Sequence, residues 1–82
     1  MFYQPGKTEH GLPHNPFKSC VIPRPIGWIS SLSPDGVANL APFSQFQNLT
    51  FDPPYVMFAA NQKVAGTRKD SAYNAEQTGE FV

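Results

Sequence analysis

Basic and hydroxyl side chains gather in a short stretch near the end of the 82-residue sequence. Lys63, Arg68 and Lys69 are three of its six basic residues, and Ser71 adds a hydroxyl group two positions later. Residues 67–77 fit a short helix, which would place two of these cations beside the free amide groups of its first turn. Unpaired amides, the helix dipole and charged donors all favour a phosphate group. The pattern therefore indicates an anion site, and its alternative is a solvated helix end with ordinary surface charge.

The helix that must position these side chains has recognisable ends. Thr67 followed by Asp70 fits a capping box with aspartate in place of glutamate, and Gly79 is a typical residue for ending a helix. The sequence then turns apolar at Phe81 and Val82. These two residues predict the start of a further strand.

A second group of small polar side chains lies upstream, in a stretch that predicts a β-hairpin. Residues 26–32 alternate in type, residues 34–36 supply a Pro-Asp-Gly turn, and residues 37–41 return as a second strand. The small polar residues of this hairpin are Ser30, Ser31, Asn39 and Ser44. They stand between glycine and proline positions, as a flat ligand lying on a sheet edge would require. Turn chemistry and protection of an edge strand are the alternative explanation.

The rest of the chain completes a mainly β pattern. Residues 42–48 look irregular, residues 51–54 force a sharp turn, and residues 55–60 form a third strand. Three strands at this spacing favour a barrel or a sandwich. The glycines and prolines of residues 1–19 predict an extended arm that lies on the domain behind it.

Composition excludes several classes of function. The formal net charge is zero, so no overall basic field attracts nucleic acid or an anionic membrane. The longest apolar run, residues 55–60, is far shorter than the roughly 20 residues of a membrane span, and the start of the sequence lacks the pattern of a signal peptide. The sequence thus predicts a cytoplasmic protein without nucleic-acid or membrane partners.

Cysteine and histidine offer little for a metal site. Cys20 is the only cysteine, which excludes an internal disulfide, and we expect it to be a small buried apolar residue. His10 and His14 are four positions apart, but Gly11 and Pro13 prevent the helix that would pair them. No metal ligand is predicted.

Five linked motifs resemble one known family. They are RPIGWISS at 24–31, NLAPFS at 39–44, DPP at 52–54 before an apolar strand, KDS at 69–71 with Asn74, and TGEFV at 78–82. In this order they look like the flavin reductase-like, FMN-binding split-barrel family. The resemblance implies that residues 20–82 are the N-terminal part of an antiparallel split barrel with one short helix, truncated at its C-terminus. It also implies a homodimer.

The resemblance assigns a cofactor and its contacts. FMN would lie against backbone and small side chains of the hairpin and the following loop, so the small residues leave room for it. Ser30 and Ser31 are then candidates for ribityl or phosphate contacts. The candidates for the ring edge are Asn39, Ala41, Pro42 and Ser44. Lys69 and Ser71 match the phosphate-binding pair, and Arg68 is an addition outside the motif.

The sequence departs from the family pattern at one ring contact. Family members commonly have Phe-Asn in the loop after the hairpin, whereas Phe46 is followed here by Gln47, with Asn48 one place later. A specific ring contact from Gln47 or Asn48 is therefore not assigned.

The sequence is compatible with three functions. The first is an NAD(P)H-dependent flavin reductase or related oxidoreductase, in which the flavin carries the hydride chemistry and no catalytic acid or base is needed. The second is an FMN-binding module without turnover. The third is a fragment that only associates with other chains through exposed edge strands.

Overall fold

The fold, a computed structural model that describes residues 2–62 and 66–82, consists of a single-turn helix, two antiparallel hairpins and a longer helix in its described part. In chain order the elements are α1 (Pro16–Ser19), β1 (Gly27–Leu32), β2 (Ala38–Phe43), β3 (Phe46–Phe51), β4 (Pro54–Phe58) and α2 (Asp70–Thr78). β1 pairs with β2, and β3 pairs with β4. The mainly β prediction with one short helix near the end is thereby confirmed. Lys63 of the predicted basic group lies outside the described residues.

The first hairpin separates a covered face from an exposed one. The register places Ile29 opposite Ala41 and Ser31 opposite Asn39, so these four residues share a face. α2 packs on both strands of this hairpin, and Ile29 is only 3% exposed. The opposite face carries Trp28, which is 66% exposed. The alternation predicted for residues 26–32 is therefore confirmed, with the glycine-containing face turned inward.

The second hairpin corrects the prediction for the segment after β2. Residues 42–48 were expected to be irregular, yet β2 continues through Phe43 and β3 begins at Phe46. The pairing of β3 with β4 shifts between Asn48 and Thr50, which leaves Leu49 as an extra residue. This bulge breaks the two-residue period that identifies a strand in a sequence, and glutamine and asparagine are not typical strand residues.

An aromatic cluster joins the two hairpins to the end of the chain. The ring of Phe58 lies 4.9 Å from that of Phe43 and 5.0 Å from that of Phe81, measured between centroids. Phe43 is buried, at 6% exposure. These contacts hold the second hairpin and the residues after α2 near the inner face of the first.

α2 begins later than the capping-box pattern predicts. Lys69 is the N-cap residue, and in the described part of the chain its side chain makes no capping hydrogen bond. The prediction that Thr67 caps the helix was therefore wrong. Gly79 does end the helix, with φ of 78° and a bond from its amide to the carbonyl of Ala75 at 2.9 Å.

Backbone hydrogen bonds continue the first sheet beyond α2. The amide of Ser30 donates to the carbonyl of Val82 at 2.6 Å, and the amide of Val82 donates to the carbonyl of Ser30 at 2.9 Å. Such reciprocal bonds are those of an antiparallel pair. They place Val82 on the edge of β1 away from β2, in agreement with the strand predicted to start at Phe81 and Val82.

The N-terminal arm is not extended throughout. Asn15 caps the single turn of α1, and its side chain accepts hydrogen bonds from the amides of Phe17 and Lys18. Pro16 stands at the first helical position, where a missing amide hydrogen costs nothing, so the proline starts this helix instead of breaking it. Cys20 is exposed, and the expectation that it would be buried was wrong. No helix among residues 2–62 and 66–82 is both long and apolar enough to cross a membrane.

Gly27 is small because a side chain of the second hairpin occupies the space beside it. A Cβ atom built on Gly27 would lie 2.5 Å from Cδ2 and 2.8 Å from Cγ of Phe46. We expect Gly27→Ala to lower the free energy of unfolding by about 1–3 kcal/mol, measured by urea denaturation, because the half-buried ring of Phe46 must move. The double variant Gly27→Ala with Phe46→Leu should recover part of this loss. Unchanged stability of the single variant would show that the Phe46 ring can move aside without an energetic cost.

Candidate functional site

The inner face of the first hairpin and the start of α2 hold three buried polar side chains. Ser71 is 2% exposed, Asn74 is 3% exposed and Ser31 is 7% exposed. Ser71 and Asn74 are three positions apart and so share one face of the helix. Buried polar groups are stable only when they are hydrogen-bonded, so their partners determine how helix and sheet fit together.

Two amide-to-hydroxyl hydrogen bonds connect the helix to the sheet. The Asn39 side-chain amide donates to Oγ of Ser71 at 2.9 Å, and the Asn74 side-chain amide donates to Oγ of Ser31 at 3.2 Å. Ser31 and Asn39 are direct partners in the β1–β2 register. The four residues therefore form two adjacent crosslinks, which we call the amide–hydroxyl clamp.

Beside this clamp lies a cleft of about 340 Å³ between β2 and the start of α2. Its walls consist of Asn39, Ala41, Pro42, Phe43, Lys69, Asp70 and Ser71. The volume is at the lower end of the range for small-molecule sites, about 300–1,000 Å³. We call this space the α2 cleft. The wall formed by β2 is mainly apolar and is called its apolar end, whereas the wall formed by the start of α2 carries the charged and hydroxyl groups and is called its polar end.

The charges at the α2 cleft favour an anion at its polar end. Lys69 Nζ lies 5.9 Å from the centroid of the Phe43 ring, a cation–π distance. The helix start adds amide groups that the N-cap side chain leaves unbonded in the described chain. Asp70 also lines the cleft, but an acidic residue in the first turn is normal because it opposes the helix dipole. Its carboxylate would repel an anion, so the favourable groups that the cleft offers to an anion are the Lys69 ammonium, the Ser71 hydroxyl and the helix amides.

The structure brings five of the nine sequence-predicted site residues together. Asn39, Ala41, Pro42, Lys69 and Ser71 all line the α2 cleft. Ser31 joins them indirectly, through the clamp. The pairing expected between the hairpin and the helix start is thus present in the geometry.

The other three predicted residues lie away from the α2 cleft. Ser30 Oγ donates to the carbonyl of Val82 at 3.2 Å, and Ser44 Oγ accepts from the guanidinium of Arg24 at 3.3 Å. Arg68 forms an ion pair with Glu76 and lines a separate cavity of about 190 Å³. Their flavin contacts stay predictions.

Three residues around the site were missed by the sequence analysis. Phe43 and Asp70 line the α2 cleft, and Asn74 belongs to the neighbouring clamp through its hydrogen bond to Ser31. The signal for Phe43 was its two-residue spacing from Ala41 on the same strand face. The signal for Asn74 was its spacing of three from Ser71, which places both on one helix face.

His10 of the N-terminal arm has local partners. Nδ1 of His10 accepts from the amide of Leu12 at 3.0 Å, and the His10 ring packs edge-on against Tyr3 at 5.5 Å between centroids. Among the residues that the structure describes, no group of three or more His, Cys, Asp and Glu side chains could hold a metal ion.

Comparison with known proteins identifies related chains. A family model described as the flavin reductase like domain matches residues 18–82. A curated protein of Aquifex aeolicus is 45% identical over 62 residues, which cover 76% of this chain and 32% of that protein. The Bacillus subtilis protein YwrF is also 45% identical over 62 residues, with 76% and 30% covered. Both carry the name uncharacterized protein, and this chain spans about a third of their length.

A solved structure has the same arrangement of elements. Nitrilotriacetate monooxygenase component B from Bacillus cereus superposes with a TM-score of 0.82 and 32% sequence identity. The match covers 99% of this chain and 41% of that one. It confirms the predicted fold as part of an antiparallel split barrel.

Proposed function

Because the chain belongs to the flavin reductase-like domain family, we propose that it is an FMN-binding oxidoreductase domain that serves hydride transfer between NAD(P)H and flavin. The observation that carries this proposal is the α2 cleft, in which Lys69 and Ser71 lie on the helix wall and Ala41 lies on the facing strand wall. A flavin phosphate requires a charged and hydroxyl-bearing surface, and a flat ring requires an apolar surface with small side chains.

The polar end of the cleft would hold the phosphate. Lys69 supplies a positive charge, and the adjoining helix amides supply donors aimed outward from the helix start. Ser71 supplies a hydroxyl whose oxygen already accepts a bond from Asn39. Its own hydrogen can therefore be donated to a phosphate oxygen.

The apolar end would receive the ring. Ala41 is half-buried on the inner face of β2, where a small side chain leaves space against the sheet. Pro42 and Phe43 add apolar surface that excludes water. We propose Asn39 and Pro42 as further ring-edge contacts. Ser44 keeps its predicted ring contact, and Ser30, Ser31 and Arg68 keep their predicted contacts to the ribityl chain or phosphate.

Bound FMN supplies the chemistry of hydride acceptance and release. The chain's own residues then need only bind, orient and shield it. A nicotinamide nucleotide is the proposed co-substrate, which must approach the ring face left open by the sheet. No side chain is assigned a proton-transfer role.

Two alternatives compete with this proposal. A non-catalytic FMN-binding module needs the same cleft and no co-substrate site. A fragment without independent activity is favoured by the short part of its relatives' length that the chain covers. It is also favoured by the chain's shape, since its radius of gyration is 15.7 Å against about 12 Å for a compact domain of this length.

The predicted homodimer would cover the exposed outer face that carries Trp28, and sedimentation equilibrium tests it. The cytoplasmic location stays a prediction.

Flavin titration followed by a turnover assay tests the proposal. We expect the purified chain to quench FMN fluorescence at saturation and, with FMN added, to accelerate loss of NADH or NADPH absorbance above the rate with free FMN. Binding without acceleration would favour the non-catalytic module. Absence of FMN binding would leave the fragment as the better description.

A further inference from the structure

Asn74 is buried in the centre of the helix–sheet contact but does not line the α2 cleft. It is 3% exposed, and its side-chain amide is bonded to Ser31. Its carbonyl accepts from Oγ1 of Thr78 at 2.8 Å, so its main chain is held as well. A buried amide of this kind stabilises one arrangement of its two elements, since any slip would leave it without a partner.

The two crosslinks of the clamp act at neighbouring points. Ser31 and Asn39 are paired across the sheet, and Ser71 and Asn74 are one turn apart on the helix. The Asn74–Ser31 bond thus ties α2 to β1, and because Ser31 is paired with Asn39 it also constrains where the helix start lies relative to β2. The Asn39–Ser71 bond then determines which way the Ser71 hydroxyl points.

We propose that Asn74 is a positioning residue of the anion-binding end of the α2 cleft, acting through Ser31 and the helix start on Ser71 and Lys69. This inference rests on the proposed FMN binding and assigns Asn74 to the same site. Because Ser71 and Lys69 lie at the first turn of α2, a small displacement of the helix moves both groups together. Their distance to a bound phosphate changes, whereas the wall around Ala41 belongs to β2 and stays in place.

The test compares ligands with and without the phosphate. Riboflavin lacks the phosphate of FMN, so a displaced helix start should weaken FMN binding and hardly affect riboflavin binding. We expect Asn74→Ala to reduce FMN affinity about 5- to 30-fold and riboflavin affinity less than about twofold, measured by flavin fluorescence quenching. Gln77→Ala is the matched control, because it removes an exposed amide from the same helix and should change neither affinity.

A double-variant cycle separates this role from direct ligand contact by Ser31. If Asn74 acts through Ser31, Asn74→Ala should have little further effect on FMN affinity in a Ser31→Ala background. If the double variant instead loses FMN affinity by the product of the two single-variant losses, the proposal is overturned. Equal losses for FMN and riboflavin would also overturn it, because they would mean general loosening of the fold.

The same titration distinguishes this inference from the function on which it rests. An unaltered chain that does not prefer FMN to riboflavin would contradict the phosphate site, and the role of Asn74 with it. An unaltered chain that does prefer FMN, together with an Asn74→Ala variant that keeps the same preference, would overturn the role of Asn74 alone.

Discussion

Replacing Lys69 and Ser71 together by alanine is expected to weaken FMN binding on the order of 100-fold while leaving riboflavin binding nearly unchanged. Each charge-assisted or hydroxyl contact to a phosphate contributes about 1–3 kcal/mol, which corresponds to roughly 5- to 150-fold in affinity. Both side chains line the polar end of the α2 cleft, and neither contact is available to a ligand without a phosphate. Fluorescence titration with the two flavins measures the difference directly.

The comparison of two ligands is needed because the double change also removes a fold contact. Ser71 accepts the Asn39 amide, so its loss leaves a polar group without that partner and loosens the helix–sheet contact. A loosened helix–sheet contact would weaken the binding of both flavins alike. The double variant Lys7→Ala with Ser19→Ala makes the same chemical change in the exposed arm and should affect neither ligand. Equal losses of FMN and riboflavin affinity in the Lys69→Ala, Ser71→Ala variant would mean that these two residues have a purely structural role.

Enlarging Ala41 is expected to abolish the binding of both flavins. Leucine at this position would project from the inner face of β2 into the apolar end of the α2 cleft, where the ring is proposed to lie. A close-packed site cannot absorb three additional carbon atoms without displacing the ligand, so we expect affinity losses on the order of 100-fold for FMN and riboflavin alike. Fluorescence quenching measures both affinities, and far-UV circular dichroism should change little.

Ala38→Leu is the matched control for this variant. Ala38 lies on the same strand three positions earlier, faces away from α2 and is exposed, so the same substitution there adds bulk outside the cleft. We expect flavin binding by this control to match that of the unaltered chain. Ala38 does line a different groove, of about 330 Å³, together with Ser30, Ser31, Phe81 and Val82. Normal FMN affinity in Ala41→Leu combined with a loss in Ala38→Leu would therefore place the ring in that groove.

Local sequence determined the elements whose signals are short-range. The alternation around Trp28 and the following Pro-Asp-Gly turn predicted the first hairpin, because side chains on a strand alternate between faces whatever lies around them. Gly79 predicted the end of α2, because its positive φ is readily available only to glycine. The motifs shared with the flavin reductase-like family identified the fold and most residues of the α2 cleft. These features need no knowledge of distant contacts.

Only the tertiary structure decided the features that depend on partners far along the chain. β3 was missed because the extra residue at Leu49 interrupts its period, and the strand is held by pairing with β4. Thr67 and Asp70 fit a capping box, but the helix starts at Asp70, where Ser71 is hydrogen-bonded to Asn39 of the sheet. Asn74 was visible in the sequence only as part of a motif. Its proposed positioning role depends on a hydrogen bond to a residue 43 positions away, and no local pattern carries information about such a bond because chain folding alone brings the two side chains together.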